Sequence, residues 1–280
     1  MAREAFDRWA PLLAGGAVDD ARALCEAWLG TPDHGHHVEA HKCLANVKIA
    51  TMRKPAAEGG PAAGPGLSDA GVEQALAHYE KALTLVPFDQ DAHLGRVDLL
   101  ILAGHYREAN AQLDESLSAF ESREMLPHWF KLLGRFQRAG AAHEGLAYLQ
   151  VIERHHPLDH RVASNLGAFY AMTGDDEQAL AQLERAVTIN PDDPYNHWNL
   201  ARVYDKRERL EDADRHYQEA LAVMNRDDIR ARCDYAQFIA TRLEDKTRAC
   251  EYARTQCPEL HDRGCGGEAE HAEAGSTPAA

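Results

Sequence analysis

The sequence has an internal repeat: a stretch that begins at His160 follows the same pattern as the stretch that begins at Pro194 and ends at Met224. A repeat period of about 34 residues predicts stacked helix–turn–helix units, because one such unit cannot bury its apolar face without neighbours. Four residues recur at the same offset, namely Leu166 and Leu200, Tyr170 and Tyr204, Ala179 and Ala213, and Ala186 and Ala220.

Each copy of the repeat has the pattern of two helices. Apolar residues recur at intervals of three and four, as at Ala163, Leu166 and Tyr170, which predicts an amphipathic helix. Gly174 followed by Asp175 predicts the end of one helix and the N-cap of the next. We therefore expect an antiparallel helix pair in each copy.

These residues resemble a known repeat family. The pattern Leu166-Gly167-x-x-Tyr170, then Ala179-x-x-x-Leu183, Ala186 and Pro191, is similar to that of the tetratricopeptide repeat. The resemblance implies an all-α fold, a right-handed superhelical solenoid of about six to seven antiparallel helix pairs. It also implies a non-catalytic scaffold or adaptor whose partner, another protein, binds on the concave face lined by the first helix of each pair.

The pattern predicts one solenoid over residues 1–256 and no second folded domain. The repeats are clearest over 70–227, and a divergent terminal pair is predicted over 228–256. Proline, glycine and alanine dominate residues 54–68, which indicates a flexible insertion in a turn. Residues 257–280 are rich in glycine, alanine and glutamate, and we expect a disordered tail there.

Charge and hydropathy narrow the choice of partner and compartment. The 280 residues include 45 acidic and 30 basic side chains, and the net charge of −15 argues against nucleic acid or an anionic membrane as a partner. We expect no membrane span and no signal peptide, because no long apolar run is present. The six cysteines, with Cys25 and Cys250 at apolar core positions, are then expected to be free thiols in a reducing cytoplasm.

One face of the helix that begins at Pro194 is the first candidate site. Asparagine amides there would hold a peptide backbone, and arginine would hold carboxylates, which suits an extended, acidic peptide or the C-terminus of another protein. The alternative is an ordinary solvated helix face, because exposed arginine and lysine are common there. With the equivalent positions of other repeats, the candidates are Phe130, Arg138, Arg161, Asn165, Tyr195, Trp198, Asn199, Arg202, Lys206 and Arg232.

Histidines and cysteines suggest an alternative function, that of a metal- or redox-responsive accessory protein. The cluster from His34 to His41 has ligands suited to zinc or nickel, although histidines at a helix start often face water. The tail from Cys250 to Cys265 has thiol and imidazole groups, with free thiols as the alternative. The candidate ligands are His34, His36, His37, His41, Cys257, His261 and Cys265.

Catalytic motifs are missing from the sequence. No phosphate-binding loop, dinucleotide fingerprint or nucleophile motif is present. The pairs Asp175-Asp176 and Asp192-Asp193 are expected at helix caps. We therefore expect a protein that is not an enzyme and has no cofactor. Self-association through an exposed terminal helix is a third possibility.

Overall fold

A computed structural model of the protein describes residues 2–52, 67–119, 123–224 and 228–258. Most of the predicted insertion (54–68) and of the predicted tail (257–280) lies outside these ranges. All regular secondary structure within the described ranges is helical, so the all-α class is confirmed. The protein divides into two compact units, Met1–Pro157 and Leu158–Ala280.

The first unit contains four helix pairs, and each pair packs against the next. A short 3-10 turn, Arg123–Met125, precedes the fourth pair. The helices are α1 (Ala2–Ala14), α2 (Val18–Leu29), α3 (His34–Met52), α4 (Asp69–Leu85), α5 (Gln90–Ala103), α6 (Tyr106–Ala119), α7 (Leu126–Ala139) and α8 (Ala142–His155).

The second unit contains three helix pairs, in which α9 packs on α10, α11 on α12 and α13 on α14. The described part of the protein therefore holds seven pairs, in agreement with the predicted six to seven. The helices are α9 (His160–Thr173), α10 (Asp176–Ile189), α11 (Pro194–Lys206), α12 (Leu210–Val223), α13 (Ile229–Thr241) and α14 (Lys246–Gln256).

Capping residues set the turns of the second unit as predicted. Gly174 ends α9 in the left-handed conformation, with φ of 87°, where a side chain would be strained. The Asp175 carboxylate accepts a hydrogen bond from the backbone N–H of Gln178 at 3.1 Å. Asp193 does the same for Tyr195 at 2.8 Å. These two carboxylates are therefore engaged at helix starts, as expected of caps rather than of catalytic groups.

Small residues allow α9 and α10 to approach closely. A Cβ atom added to Gly167 would lie 2.5 Å from Cγ of Leu183 and 3.1 Å from the carbonyl oxygen of Ala179. Ala179 and Ala186 are fully buried on the facing helix. The glycine of the repeat motif is thus required by packing, because any larger residue would force the two helices apart.

A polar network fastens the last helix pair to α12. Asp214 accepts hydrogen bonds from the Tyr235 hydroxyl on α13 at 2.6 Å and from the Arg248 guanidinium on α14 at 2.8 and 2.9 Å. The Gln218 amide donates another at 3.0 Å. Burial raises the pKa of Asp214, but these hydrogen bonds outweigh burial, so its pKa lies below the ordinary value.

We expect Asp214→Asn to lower the free energy of unfolding by about 1.5–3 kcal/mol at neutral pH, because hydrogen bonds to a charged group are lost. A carboxylate with a depressed folded pKa stabilises the fold above its unfolded pKa of about 3.9, and this stabilisation is lost as pH falls through the folded pKa. Urea unfolding at about pH 6 and about pH 3 should therefore show that the free energy of unfolding falls more with acid in the wild type than in Asp214→Asn. Glu211→Gln is the control, because Glu211 is exposed on the same helix. If the free energy of unfolding falls equally with acid in the wild type and in Asp214→Asn, the depressed pKa of Asp214 is refuted.

Candidate functional site

The ten residues predicted to face a peptide divide between the two units. Phe130 and Arg138 lie on α7 of the first unit, where Phe130 is half-buried and Arg138 is exposed. The other eight lie on α9, α11 and α13 of the second unit. The candidate site is therefore built within the second unit, where most of the set is found.

A cleft of about 440 Å³ lies beside α11 in the second unit. Tyr195, Trp198 and Arg202 all contribute to its wall, since spacings of three and four place them on one helical face. We call it the aromatic cleft, and its lining residues are Tyr195, Trp198, Arg202, Tyr217, Met224, Asp228, Arg230, Ala231 and Asp234.

The aromatic cleft combines apolar surface with both signs of charge. Tyr195 is 62% exposed although it is a large aromatic residue. Trp198 is half-buried and contacts Tyr217 edge-on, with ring centroids 4.8 Å apart. Neither Arg202 nor Arg230 forms an ion pair with another described residue. An exposed tyrosine beside unpaired guanidinium groups provides the kind of surface that binds a peptide side chain and a carboxylate.

Two further basic candidates are held in ion pairs. The Arg161 guanidinium donates two hydrogen bonds to the carboxylate of Asp159 at 3.0 and 2.8 Å, and these bonds raise the pKa of Arg161. The Lys206 ammonium lies 2.6 Å from the carboxylate of Asp176. Binding of an acidic ligand by either residue requires exchange of an existing partner.

The remaining three candidates also have partners. Asn165 donates to the carbonyl oxygen of Arg161 at 2.8 Å, and Asn199 donates to the Ser164 hydroxyl at 3.2 Å. Arg232 is only 8% exposed and donates to the Gln256 side chain at 3.0 Å, which ties α13 to α14. Their role in binding a peptide stays a prediction, whereas the structure assigns each a contact within the fold.

Two family models match segments that include this site. A model described as "TPR repeat" matches residues 167–206, and a model described as "Tetratricopeptide repeat" matches residues 199–226. Residues 167–226 of the chain are tetratricopeptide repeats. Proteins of this family commonly mediate interactions between proteins. No curated protein matches it in sequence.

Several solved structures resemble this chain. PilF of Pseudomonas aeruginosa is 17% identical with a TM-score of 0.46, over 84% of this chain and 99% of PilF. TTC0263 of Thermus thermophilus is 22% identical with a TM-score of 0.37, over 85% and 98% of the two proteins. YrrB, described as a TPR protein with an unusual peptide-binding site, is 20% identical with a TM-score of 0.41, over 71% and 90%. The family assignment rests on the two matched segments.

The histidines predicted to bind metal in the first unit point to different partners. His36 Nδ1 lies 3.3 Å from the Thr31 hydroxyl, and His37 Nε2 lies 2.6 Å from the Thr31 carbonyl oxygen. His41 Nδ1 lies 3.2 Å from Nδ1 of His78 on α4. These contacts engage one nitrogen of each ring, and metal binding by His37 and His41 stays a prediction.

The surroundings of His41 favour its neutral form. Burial, followed by the neighbouring His78 and Lys81, lowers the pKa of His41 to about 4. The fourth predicted ligand, the side chain of His34, lies outside the described part of the structure. No three of the described side chains of this cluster converge within metal-binding distance.

The cysteines correct a prediction, because those in the described part of the protein are not free thiols. Cys25 of α2 is bonded to Cys43 of α3, Cys233 of α13 is bonded to Cys257, and Cys250 is also disulfide-bonded. The reason is tertiary: neighbouring helices bring the Cα atoms of the two named pairs to 6.0 and 5.2 Å, within the range a disulfide requires.

The predicted tail site changes accordingly. Cys257 is fully buried and bonded to Cys233, so it does not offer a thiolate to a metal ion. The other two candidates, His261 and Cys265, lie outside the described residues. Among the helices that the structure describes, none has the length and apolar character needed to cross a membrane.

Proposed function

We propose that this tetratricopeptide repeat protein is a non-catalytic scaffold that binds an extended segment of a partner protein in the aromatic cleft. The observation that carries the proposal is that exposed Tyr195 lies on one wall of the cleft with Trp198 and with Arg202, which forms no ion pair with a described residue. The wall belongs to a packed helix, so the protein side of the site is preformed and little ordering entropy is lost on binding.

The lining predicts the chemistry of the bound segment. The rings of Tyr195 and Trp198 suit an apolar or aromatic side chain, and tyrosine, tryptophan and arginine are the residues that dominate binding energy at interfaces. Arg202 and Arg230 suit an acidic side chain or a terminal carboxylate through paired N–H groups. Asp234 lines the same cleft and is exposed, so an adjacent basic group or N–H donor fits beside the acidic one.

We expect a displayed library of random peptides, selected on the full-length protein, to enrich segments that carry an aromatic residue near a carboxylate. Fluorescence polarisation should show that Tyr195→Ala weakens the selected peptides by about 10-fold or more, which corresponds to about 1.4 kcal/mol. Arg202→Glu should weaken acidic peptides further, because attraction becomes repulsion. Tyr195 is chosen because replacement of an exposed side chain perturbs folding little.

Arg254→Ala is the matched control, since Arg254 is exposed on α14 and does not line the cleft. This variant should bind the selected peptides as the wild type does. Enriched peptides that bind Tyr195→Ala and Arg202→Glu with unchanged affinity would contradict the proposal, and so would a selection that enriches no peptide.

We infer that binding takes place in an oxidising compartment. The cytoplasm was predicted because no signal peptide was expected, and it implied free thiols, whereas the structure has the disulfides Cys25–Cys43 and Cys233–Cys257. Cytosolic thiols are kept reduced by glutathione and thioredoxin, whereas disulfides persist in the periplasm, in the secretory pathway and outside cells. The cysteines therefore favour one of these locations over the cytoplasm.

A further inference from the structure

Three side chains with metal-ligating atoms converge between α11 and α12. The Nδ1 atoms of His197 and His216 are 3.1 Å apart. Oε2 of Glu219 lies 3.0 Å from Nδ1 of His197 and 2.8 Å from Nδ1 of His216. Among the described residues, this is the one group of at least three such side chains whose ligand atoms all meet within 4.8 Å.

The surroundings hold the two imidazoles in place and leave one side open. His197 is 7% exposed, and the side chain of His216 is 12% exposed. The Tyr204 ring stacks on His216 with an interplanar angle of 13°. The side chain of Glu219 is 44% exposed, so water and ions reach the group from the Glu219 side.

A backbone carbonyl fixes the tautomer of His197. Its Nε2 atom lies 2.9 Å from the carbonyl oxygen of Pro191, which only accepts, so Nε2 carries the hydrogen of the neutral ring. Nδ1 then presents a lone pair to His216 and Glu219. Histidines that bind metal commonly donate their second nitrogen to a carbonyl in this way, which orients the ring.

The three facing atoms can all donate electron pairs to a metal ion. With Nε2 of a neutral His197 donating to the Pro191 carbonyl, Nδ1 presents its lone pair 3.0 Å from the Glu219 carboxylate. A divalent cation accepts electron pairs from all three atoms at once. The arrangement therefore has the ligand types and the convergence that a metal ion requires.

A counterpart in the first unit shows that the fold does not require this group. His93 also follows a proline by six residues, and its Nε2 lies 3.0 Å from the carbonyl oxygen of Pro87. Its Nδ1 lies 2.9 Å from the hydroxyl of Ser116, in place of an imidazole and a carboxylate. A histidine at this repeat position thus packs without belonging to a group of three metal-ligating side chains among the described residues, and His93 provides an internal control.

We propose that His197, His216 and Glu219 bind one divalent transition-metal ion of the zinc class through Nδ1, Nδ1 and a carboxylate oxygen. Bonds of about 2.1 Å at the tetrahedral angle space adjacent ligand atoms by about 3.4 Å, so the three observed distances of 2.8 to 3.1 Å would widen by about 0.3 to 0.6 Å around an ion. Imidazole selects zinc, nickel, copper or iron over magnesium and calcium, which prefer oxygen ligands. The open side leaves room for water or for a donor from a partner protein.

The test is a titration of tag-free, full-length protein, stripped with chelator, with Zn²⁺ in a calorimeter and with Co²⁺ in a spectrophotometer. We expect one tight site whose affinity falls by about 10-fold or more in Glu219→Gln and in His216→Gln, because loss of a ligand costs at least as much as loss of an outer-shell partner. His93→Gln should keep the tight site. Zn²⁺ should also raise the melting temperature of the wild type and of His93→Gln, but not of Glu219→Gln.

The 16 histidines of the protein make additional weak binding expected, so the difference between matched variants is the measured quantity. Far-UV circular dichroism of each variant checks that it is folded, and Glu219, being half-exposed, is the least disruptive position. Equal affinities, stoichiometries and Co²⁺ spectra in wild type and Glu219→Gln would overturn the proposal and leave weak binding by surface histidines only.

Discussion

Loss of the disulfide between Cys233 and Cys257 is expected to lower the free energy of unfolding of the second unit by about 3 kcal/mol. The bond closes a loop over a sequence separation of 24 residues, and a cross-link of this length removes that much chain entropy from the unfolded state. The matched comparison is urea unfolding of the full-length wild type against the Cys233→Ser/Cys257→Ser double variant, both without reductant. Addition of reductant should destabilise the second unit more in the wild type than in the variant, which retains only the disulfide of Cys250 there.

The Cys25→Ser/Cys43→Ser double variant separates the effect of this disulfide from a general effect of cysteine loss. Its bond joins α2 and α3 over a separation of 18 residues, so its removal should weaken the first unit by a similar amount. Mass spectrometry of a non-reduced digest should recover both cross-linked peptide pairs. Free thiols at these four positions in protein purified without reductant would refute the pairing and the oxidising compartment inferred from it.

The helix pairs could be predicted because their signals are local. A cap such as Asp175, a stop such as Gly174 and the small residue Gly167 act on neighbours within one helix pair, and their spacing in the sequence reports directly on that pair. Helical periodicity likewise placed Tyr195, Trp198 and Arg202 on one face, and all three line the aromatic cleft. Agreement between local signals and tertiary packing is what a repeat sequence is expected to show.

Contacts between helices explain what the sequence did not reveal. Periodicity defines one face of a helix but not the residue that packs against it. Cys25 was therefore predicted to be an ordinary core residue, although it is bonded to Cys43 on the neighbouring helix. Lys206 was placed on the correct helix, but its partner Asp176 comes from another pair. In the sequence, the metal group proposed above leaves only a weak signal, which is His216 followed by Glu219 three residues later. Its third residue, His197, lies on another helix and joins them only because α11 packs on α12.

Trp129→Ala is expected to lower the free energy of unfolding of the first unit by about 3–5 kcal/mol, the range for removal of a fully buried aromatic side chain. Trp129 has no exposed surface on α7, and Phe136 and Tyr148 are equally buried in the same unit. The Tyr148 hydroxyl donates to the backbone carbonyl of Trp129 at 3.2 Å, a bond that alanine retains, so the loss would come from packing and the cavity left behind.

His128→Ala is the matched control, since His128 precedes Trp129 on the same helix but is exposed. Its free energy of unfolding should stay within about 0.5 kcal/mol of the wild type. Urea unfolding followed by far-UV circular dichroism measures both variants. Because the stability of stacked repeats is a sum of repeat and neighbour terms, the loss in Trp129→Ala should appear as earlier unfolding of part of the helical signal. A Trp129→Ala curve that overlays that of His128→Ala would show that the fourth helix pair is not packed around this side chain.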